Sequence, residues 1–188
     1  MFEKVIFLDI DGVLNCNSSV EMCECENGSI IGVDDDKLSR LAAIVQYTGA
    51  DLVLSSSWKE GWFDNWAPKQ KHVEYLEKRL AQHGLKIKSI TQGHISGSYY
   101  RGREIMGWLM QHPQTKEWVI LDDEAWGDFF ENPYIEGHWV WTSYKRGLTD
   151  SDAETAISIL QGWLLSEDEF IMNYHEKQEW DIIGEKND

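Results

Sequence analysis

Val5-Ile6-Phe7-Leu8-Asp9-Ile10-Asp11-Gly12-Val13-Leu14-Asn15 joins an apolar run to a glycine turn through two carboxylates spaced two residues apart. A short apolar run bounded by a turn signal reads as a buried strand, and residues i and i+2 of a continuing strand share one face. At the carboxyl end of a parallel strand that face opens on the crevice where α/β folds bind ligands. Asp9 and Asp11 are therefore candidate catalytic residues acting on one substrate. Carboxylates this close repel unless a cation lies between them or one takes up a proton, and hard oxygen ligands of this kind suit Mg2+ together with a substrate phosphate. A capped turn after a strand would use the same residue types, so the stretch needs support from elsewhere in the chain.

Three further segments supply it. Leu52-Val53-Leu54 is a second apolar run of strand type and delivers Ser55, Ser56 and Ser57 to the same kind of strand end, where a hydroxyl and free backbone N–H groups hold a phosphate oxygen. Arg101-Gly102-Arg103-Glu104-Ile105 opens an apolar-periodic stretch through Trp108 and Leu109, which puts a guanidinium at a helix start, a fork suited to phosphate. Arg101 and Arg103 both qualify. Trp118-Val119-Ile120-Leu121 runs into Asp122-Asp123-Glu124, a third strand ending in acids and a second source of metal ligands.

With these residues in order, the chain resembles the haloacid dehalogenase (HAD) superfamily, whose motifs are a D-x-D after the first strand, a Ser or Thr after the second, a Lys or Arg at a helix start, and an acidic pair after a later strand. More narrowly, D-G-V-L-N from Asp11, S-S-S-W at Ser55 to Trp58, R-x-x-E-I-x-x-W-L from Arg101, L-D-D-E from Leu121 and G-L-T at Gly147 to Thr149 look like the small HAD domains related to Swiss Army Knife RNA-repair proteins. The resemblance implies a three-layer, Rossmann-like α/β fold with a central parallel sheet and a minimal cap. It implies a Mg2+-dependent phosphomonoester hydrolase in which Asp9 is the nucleophile that forms an aspartyl-phosphate and Asp11 the general acid and base. Ser55, Ser56 and Arg101 or Arg103 would hold the phosphoryl oxygens. Asp9, Asp11 through its backbone carbonyl, and Asp122 or Asp123 would hold the metal; if Asp123 is the direct ligand, Asp128 becomes its helper.

Composition agrees with one enzyme domain. At 188 residues the chain is near the usual single-domain size, and it has no apolar run of the ~18 residues a membrane span needs. The start passes straight into the first strand without the basic, small-residue pattern of a secretory signal, so a cytoplasmic location is expected. With 33 acids against 17 bases the net charge is −16. That charge repels nucleic acid at long range and excludes an extensive nucleic-acid-binding surface. A phosphorylated substrate, whether a small molecule or a nucleic-acid end, must then be drawn in by a local positive site. Oligomeric state is not encoded at this level.

Strands alternating with helical patterns predict a parallel sheet with right-handed crossovers over residues 1–165, followed by an acidic helix or tail at 166–188. The reading places an irregular loop at Asn15 to Gly32, helices from Asp34, over Lys71 to His83, from Arg101 and over Ser151 to Leu165, and short strands at Lys86 to Ile90 and His138 to Trp141. Cys16, Cys23 and Cys25 crowd the first loop without the paired C-x-x-C pattern of a zinc site, and the six histidines form no ligand pair. Trp58, Trp62 and Trp66 recur every four residues, which on a helix gives one aromatic face, either a wall for stacking a base or core packing. Neither insert between the motifs looks like a folded cap domain, which predicts a fairly open site that tolerates a polymer end or a protein phosphate.

Overall fold

The structure is a computed structural model and describes residues 2–26, 28–62, 69–92, 100–124, 126, 128–130 and 132–166. Five strands, β1 (Lys4–Leu8), β4 (Asp51–Leu54), β5 (Ile87–Ile90), β6 (Glu117–Asp122) and β7 (Trp139–Trp141), pair in parallel in the order β5-β4-β1-β6-β7. Alternation along these strands sorts their side chains to two faces. Ile6, Leu8, Leu52, Leu54, Val119, Leu121 and Val140 enter one core cluster with Leu38, Leu41 and Ile44 of helix α1 (Asp35–Thr48), Val73, Leu76 and Leu80 of α2 (Lys71–Gln82), and Ala153, Ala156 and Ile159 of α5 (Asp150–Ile159). Val5, Phe7, Val53, Trp118, Ile120 and Trp139 face the other way, onto Ile105 and Trp108 of α3 (Arg101–Gln111) and Ile135 of the short α4 (Pro133–Glu136). The three-layer α/β expectation is met.

The chain runs outward from β1 to β4 and β5, then returns through α3 to β6 on the other side of β1. That reversal leaves a crevice beyond the carboxyl ends of β1 and β6, the place where open α/β sheets bind ligands.

Three local readings are corrected. The segment 15–32 is not irregular: β2 (Met22–Cys25) and β3 (Gly28–Ile31) form an antiparallel hairpin, Cys25 opposite Gly28. The Asn27-Gly28 pair in the sequence is a general turn signal; the strands are short and only partly apolar, which hides their period. The described part of the tryptophan segment, up to Trp62, is not an α-helix. Ser57–Lys59 form a 3-10 turn, with Lys59, Glu60 and Trp62 N–H each bonded to the carbonyl three residues back, and Trp58 and Trp62 are buried in the core rather than lining an exposed wall. Trp66 lies outside the described residues. The last helix ends at Ile159 rather than Leu165, because Gly162 and Trp163 N–H turn back onto the Ile159 and Ser158 carbonyls. Its start at Thr149 is a reciprocal capping box with Asp152, which is what the G-L-T stretch provides. The expected acidic tail falls outside the described residues after Ser166.

Candidate active site

Asp9 follows β1 and its N–H bonds the Leu121 carbonyl of β6 at 3.0 Å, so the extended ladder fixes its side chain at the crevice. Asp122 closes β6 and is fully buried; Asp123 is the next residue and half-buried. Carboxylate oxygens of Asp9, Asp122 and Asp123 all lie within 4.8 Å of one another. Arg101, the first residue of α3 and 8% exposed, sends Nη1 between two of them, 2.9 Å from Asp9 Oδ1 and 2.6 Å from Asp122 Oδ2. Its guanidinium also lies 4.3 Å over the Trp126 ring.

One guanidinium does not balance three carboxylates, two of them buried and the third half-buried. Burial pushes the Asp9 carboxyl above its ordinary value despite the opposing Arg101 charge. Burial, followed by the Asp9 charge, raises Asp122 as well. Burial and then Asp9 push Asp123 up to about 7. Arg101 is itself raised: burial opposes its charge, and the Asp122 and Asp9 carboxylates outweigh that opposition. Three ionised carboxylates and one guanidinium would leave two negative charges, which a divalent cation would offset. Its donors are all hard carboxylate oxygens, so the residues fit Mg2+.

Local structure explains how the acids approach. Gly12 has φ +67°, and a Cβ there would overlap the Asp123 carboxylate, so the glycine of D-x-D-G both turns the chain and admits the acid from β6. At α3, the Asp128 carboxylate accepts from the backbone N–H of Gly102 at 3.2 Å and of Arg103 at 2.8 Å. A Cβ at Gly102 would stand 3.0 Å from Asp128 Cγ and 2.8 Å from Ile135 Cδ1, so the small residue in R-G-R lets this cap approach. Asp128 thus anchors the helix that presents Arg101 rather than facing the acidic cluster.

The serines divide. Ser56 hydrogen-bonds Asp9 and accepts from Trp58 N–H at 3.3 Å. Ser55 Oγ is buried and has no hydrogen-bond partner among the described residues. Arg103 is solvent-exposed, its guanidinium 4.2 Å over the Tyr100 ring, and it does not join the acids. Asp11 is exposed, and both of its carboxylate oxygens are held: Asn15 Nδ2 donates to Oδ1 at 2.9 Å and Trp58 Nε1 to Oδ2 at 3.0 Å.

Sequence reasoning missed four contributors. Asn15 and Trp58 touch Asp11, Trp126 Nε1 donates to Asp122 at 3.2 Å, and the Thr142 hydroxyl, past the end of β7, is buried without a partner among the described residues. Asn15 and Trp58 lie inside quoted motifs, but no spacing rule joins residue 58 to residue 11. The cysteines are free thiols, and among the described residues none joins a group of three candidate metal ligands. Among these residues no helix is long and apolar enough to cross a membrane.

A family model for the HAD domain in Swiss Army Knife RNA repair proteins matches residues 5–153. Among solved structures, a HAD superfamily (subfamily III A) hydrolase from Legionella pneumophila is similar at 12% identity and a TM-score of 0.44, covering 93% of this chain and 90% of that one. No curated protein matches the chain significantly.

Proposed function

The chain belongs to the family of HAD domains found in Swiss Army Knife RNA repair proteins, and from that premise we propose that it is a Mg2+-dependent phosphomonoester hydrolase working through an aspartyl-phosphate on Asp9. The observation that carries this reading is the trio Asp9, Asp122 and Asp123 gathered at the sheet's reversal point around one arginine. Asp9 and Asp123, with the Asp11 backbone carbonyl, would hold Mg2+. Asp123 is the better of the two adjacent acids because Asp122 is already committed to Arg101, Trp126 and the Glu124 N–H. When bound, the ion supplies charge neutralisation for the phosphoryl group and the nucleophile.

The chain's own residues do the rest. An Asp9 oxygen bonds phosphorus as the ester P–O bond breaks, and Asp11 gives its proton to the departing oxygen. Asp11 then takes a proton from a water whose oxygen attacks phosphorus, and the bond to Asp9 breaks, releasing phosphate. The unpaired Ser55 hydroxyl donates to a phosphoryl oxygen, and Arg101 sets positive charge beside it. An aspartate at position 11 suits this hydrolysis, since it serves both proton transfers.

The family description favours the terminal phosphate of an RNA as substrate. The acidic surface restricts any such contact to the end itself, and the buried Trp58 and Trp62 remove the proposed stacking wall at those positions. Turnover of a phosphomonoester panel with Mg2+, including 3′- and 5′-phosphorylated oligonucleotides beside sugar phosphates and nucleotides, tests the reading. Preference for a small metabolite would move the substrate class while keeping the chemistry. No hydrolysis of any ester, with no Mg2+ affinity, would reject the enzyme in favour of a binding module.

A further inference from the structure

The bracket around Asp11 is built from two distant segments. Asn15 is fully buried, and its amide orientation is set because Oδ1 accepts from the Gly12 N–H at 3.0 Å while Nδ2 donates to Asp11 Oδ1. From the other side comes the indole of Trp58, 5% exposed and fixed in the core against His72 and Tyr75, with ring centroids at 6.0 and 6.5 Å. An exposed aspartate would ordinarily sample several rotamers. Here two rigid, buried donors grip one oxygen each. A carboxyl group offers about four positions on its two oxygens, so two remain, one of which can carry the proton that passes to the leaving oxygen.

We propose that Trp58 is a positioning residue for Asp11: its indole N–H, opposed by Asn15, holds the carboxylate where it meets the leaving oxygen. The proposal rests on the reading of Asp11 as the proton donor. Holding a reacting group in place converts lost rotational freedom into rate, and the effect should be felt most by esters whose departing oxygen needs a proton. Trp58 also donates its backbone N–H to Ser56, which bonds Asp9; that bond does not involve the indole, so the indole N–H acts on the chemistry through Asp11.

The test compares kcat/KM, which reports the first bond cleavage, on an alkyl phosphate and on p-nitrophenyl phosphate, whose leaving group departs without protonation. Trp58→Phe keeps the ring in the core and deletes the donor. It is expected to lower the alkyl-to-aryl ratio about tenfold, the loss of roughly one charge-assisted hydrogen bond, and Asp11→Asn to lower the ratio further. The Trp58 indole N–H resonance should lie upfield in Asp11→Asn of its position in wild-type protein, a readout independent of turnover that stands even if Trp58→Phe does not fold. A lowered ratio in Asp11→Asn with a wild-type ratio in folded Trp58→Phe, or an equal loss on both esters, overturns the positioning role while Asp11 keeps its own. An indole resonance indifferent to Asp11→Asn overturns the contact itself. An unchanged ratio in Asp11→Asn rejects the proton-donor reading and the proposal with it.

Discussion

Asp9, Asp122 and Asp123 cannot all ionise around Arg101 without strain, and that imbalance is the lever on the site. Asp9→Asn is expected to cut turnover of any phosphomonoester by at least about a thousandfold, as for loss of a covalent nucleophile; a folded variant with wild-type kcat refutes the covalent route. Mg2+ should raise Tm of the wild type by mass action on the folded state. The same titration should give little or no shift in Asp123→Asn and retain a shift in Asp122→Asn; the opposite pattern would hand the metal to Asp122. Arg101→Ala should lose more turnover and more stability than Arg103→Ala, because removing Arg101 strands buried carboxylates, a penalty of about 3–5 kcal/mol where one partner of a buried pair is lost, whereas Arg103 projects into solvent over Tyr100. Ser55→Ala should cost less turnover than Asp9→Asn, since neighbouring backbone N–H groups still face the phosphoryl group.

Helix α3 is the element that couples fold to site, because its first residue is Arg101 and its first-turn N–H groups are satisfied by Asp128 rather than by a capping residue of its own. Tyr100, the residue before the helix, makes no side-chain cap. Asp128→Ala should therefore cost about 1 kcal/mol of stability, the usual value of a lost N-terminal cap, and lower turnover by more than that stability loss explains, through a looser Arg101. Urea denaturation and kcat on the same preparations check both, and Asp128→Asn, which keeps an acceptor oxygen, should recover most of the stability. The hairpin β2–β3 is likewise held by side chains of a neighbouring helix. Tyr75 of α2 donates to Glu21 at 2.9 Å and accepts from the Val33 N–H at 3.0 Å, and Arg79 reaches Glu21 at 3.1 Å and the Val33 carbonyl at 3.0 Å. Both ends of the hairpin are thereby tied to α2, which itself packs on the core.

For the molecule as a whole, charge and burial set the response to solution conditions. A net charge of −16 means that a phosphorylated oligonucleotide held by its end neutralises one or two phosphates, for a slope of log affinity against log salt of about −0.7 to −1.4. A slope several times steeper would reveal a backbone-binding track. His138 is stacked on Trp118 at 3.7 Å with Nδ1 at 2.8 Å from the Trp118 carbonyl, and burial lowers its pKa from 6.5. A base depressed on folding stabilises the protein above its unfolded pKa and loses that contribution as pH falls through its folded pKa. The drop in Tm between pH 7 and pH 5 should accordingly be smaller in His138→Gln than in wild type; equal slopes would show that this imidazole does not contribute.

The parallel sheet and the acids at its strand ends were legible along the chain because they depend on local order: an apolar run buries a strand, its end faces the crevice, and Asp9, Ser55 and Asp122 each follow such a run; the strand order that sets the reversal point was not. The helix start at Arg101 was legible for the same reason. What the chain could not show is which side chains meet across elements. The preference for Arg101 over Arg103 inside the acidic cluster, the commitment of Asp122 to that arginine, the use of Asp128 as a cap for α3, and the contact of Trp58 with Asp11 all depend on distances between segments far apart in sequence. The tryptophan spacing of four left a stacking wall and core packing both open; the folded turn, with i→i+3 rather than α-helical hydrogen bonds, buries Trp58 and Trp62 in the core. Periodicity reports the face a residue takes on its own element; tertiary packing alone decides which neighbour that face meets.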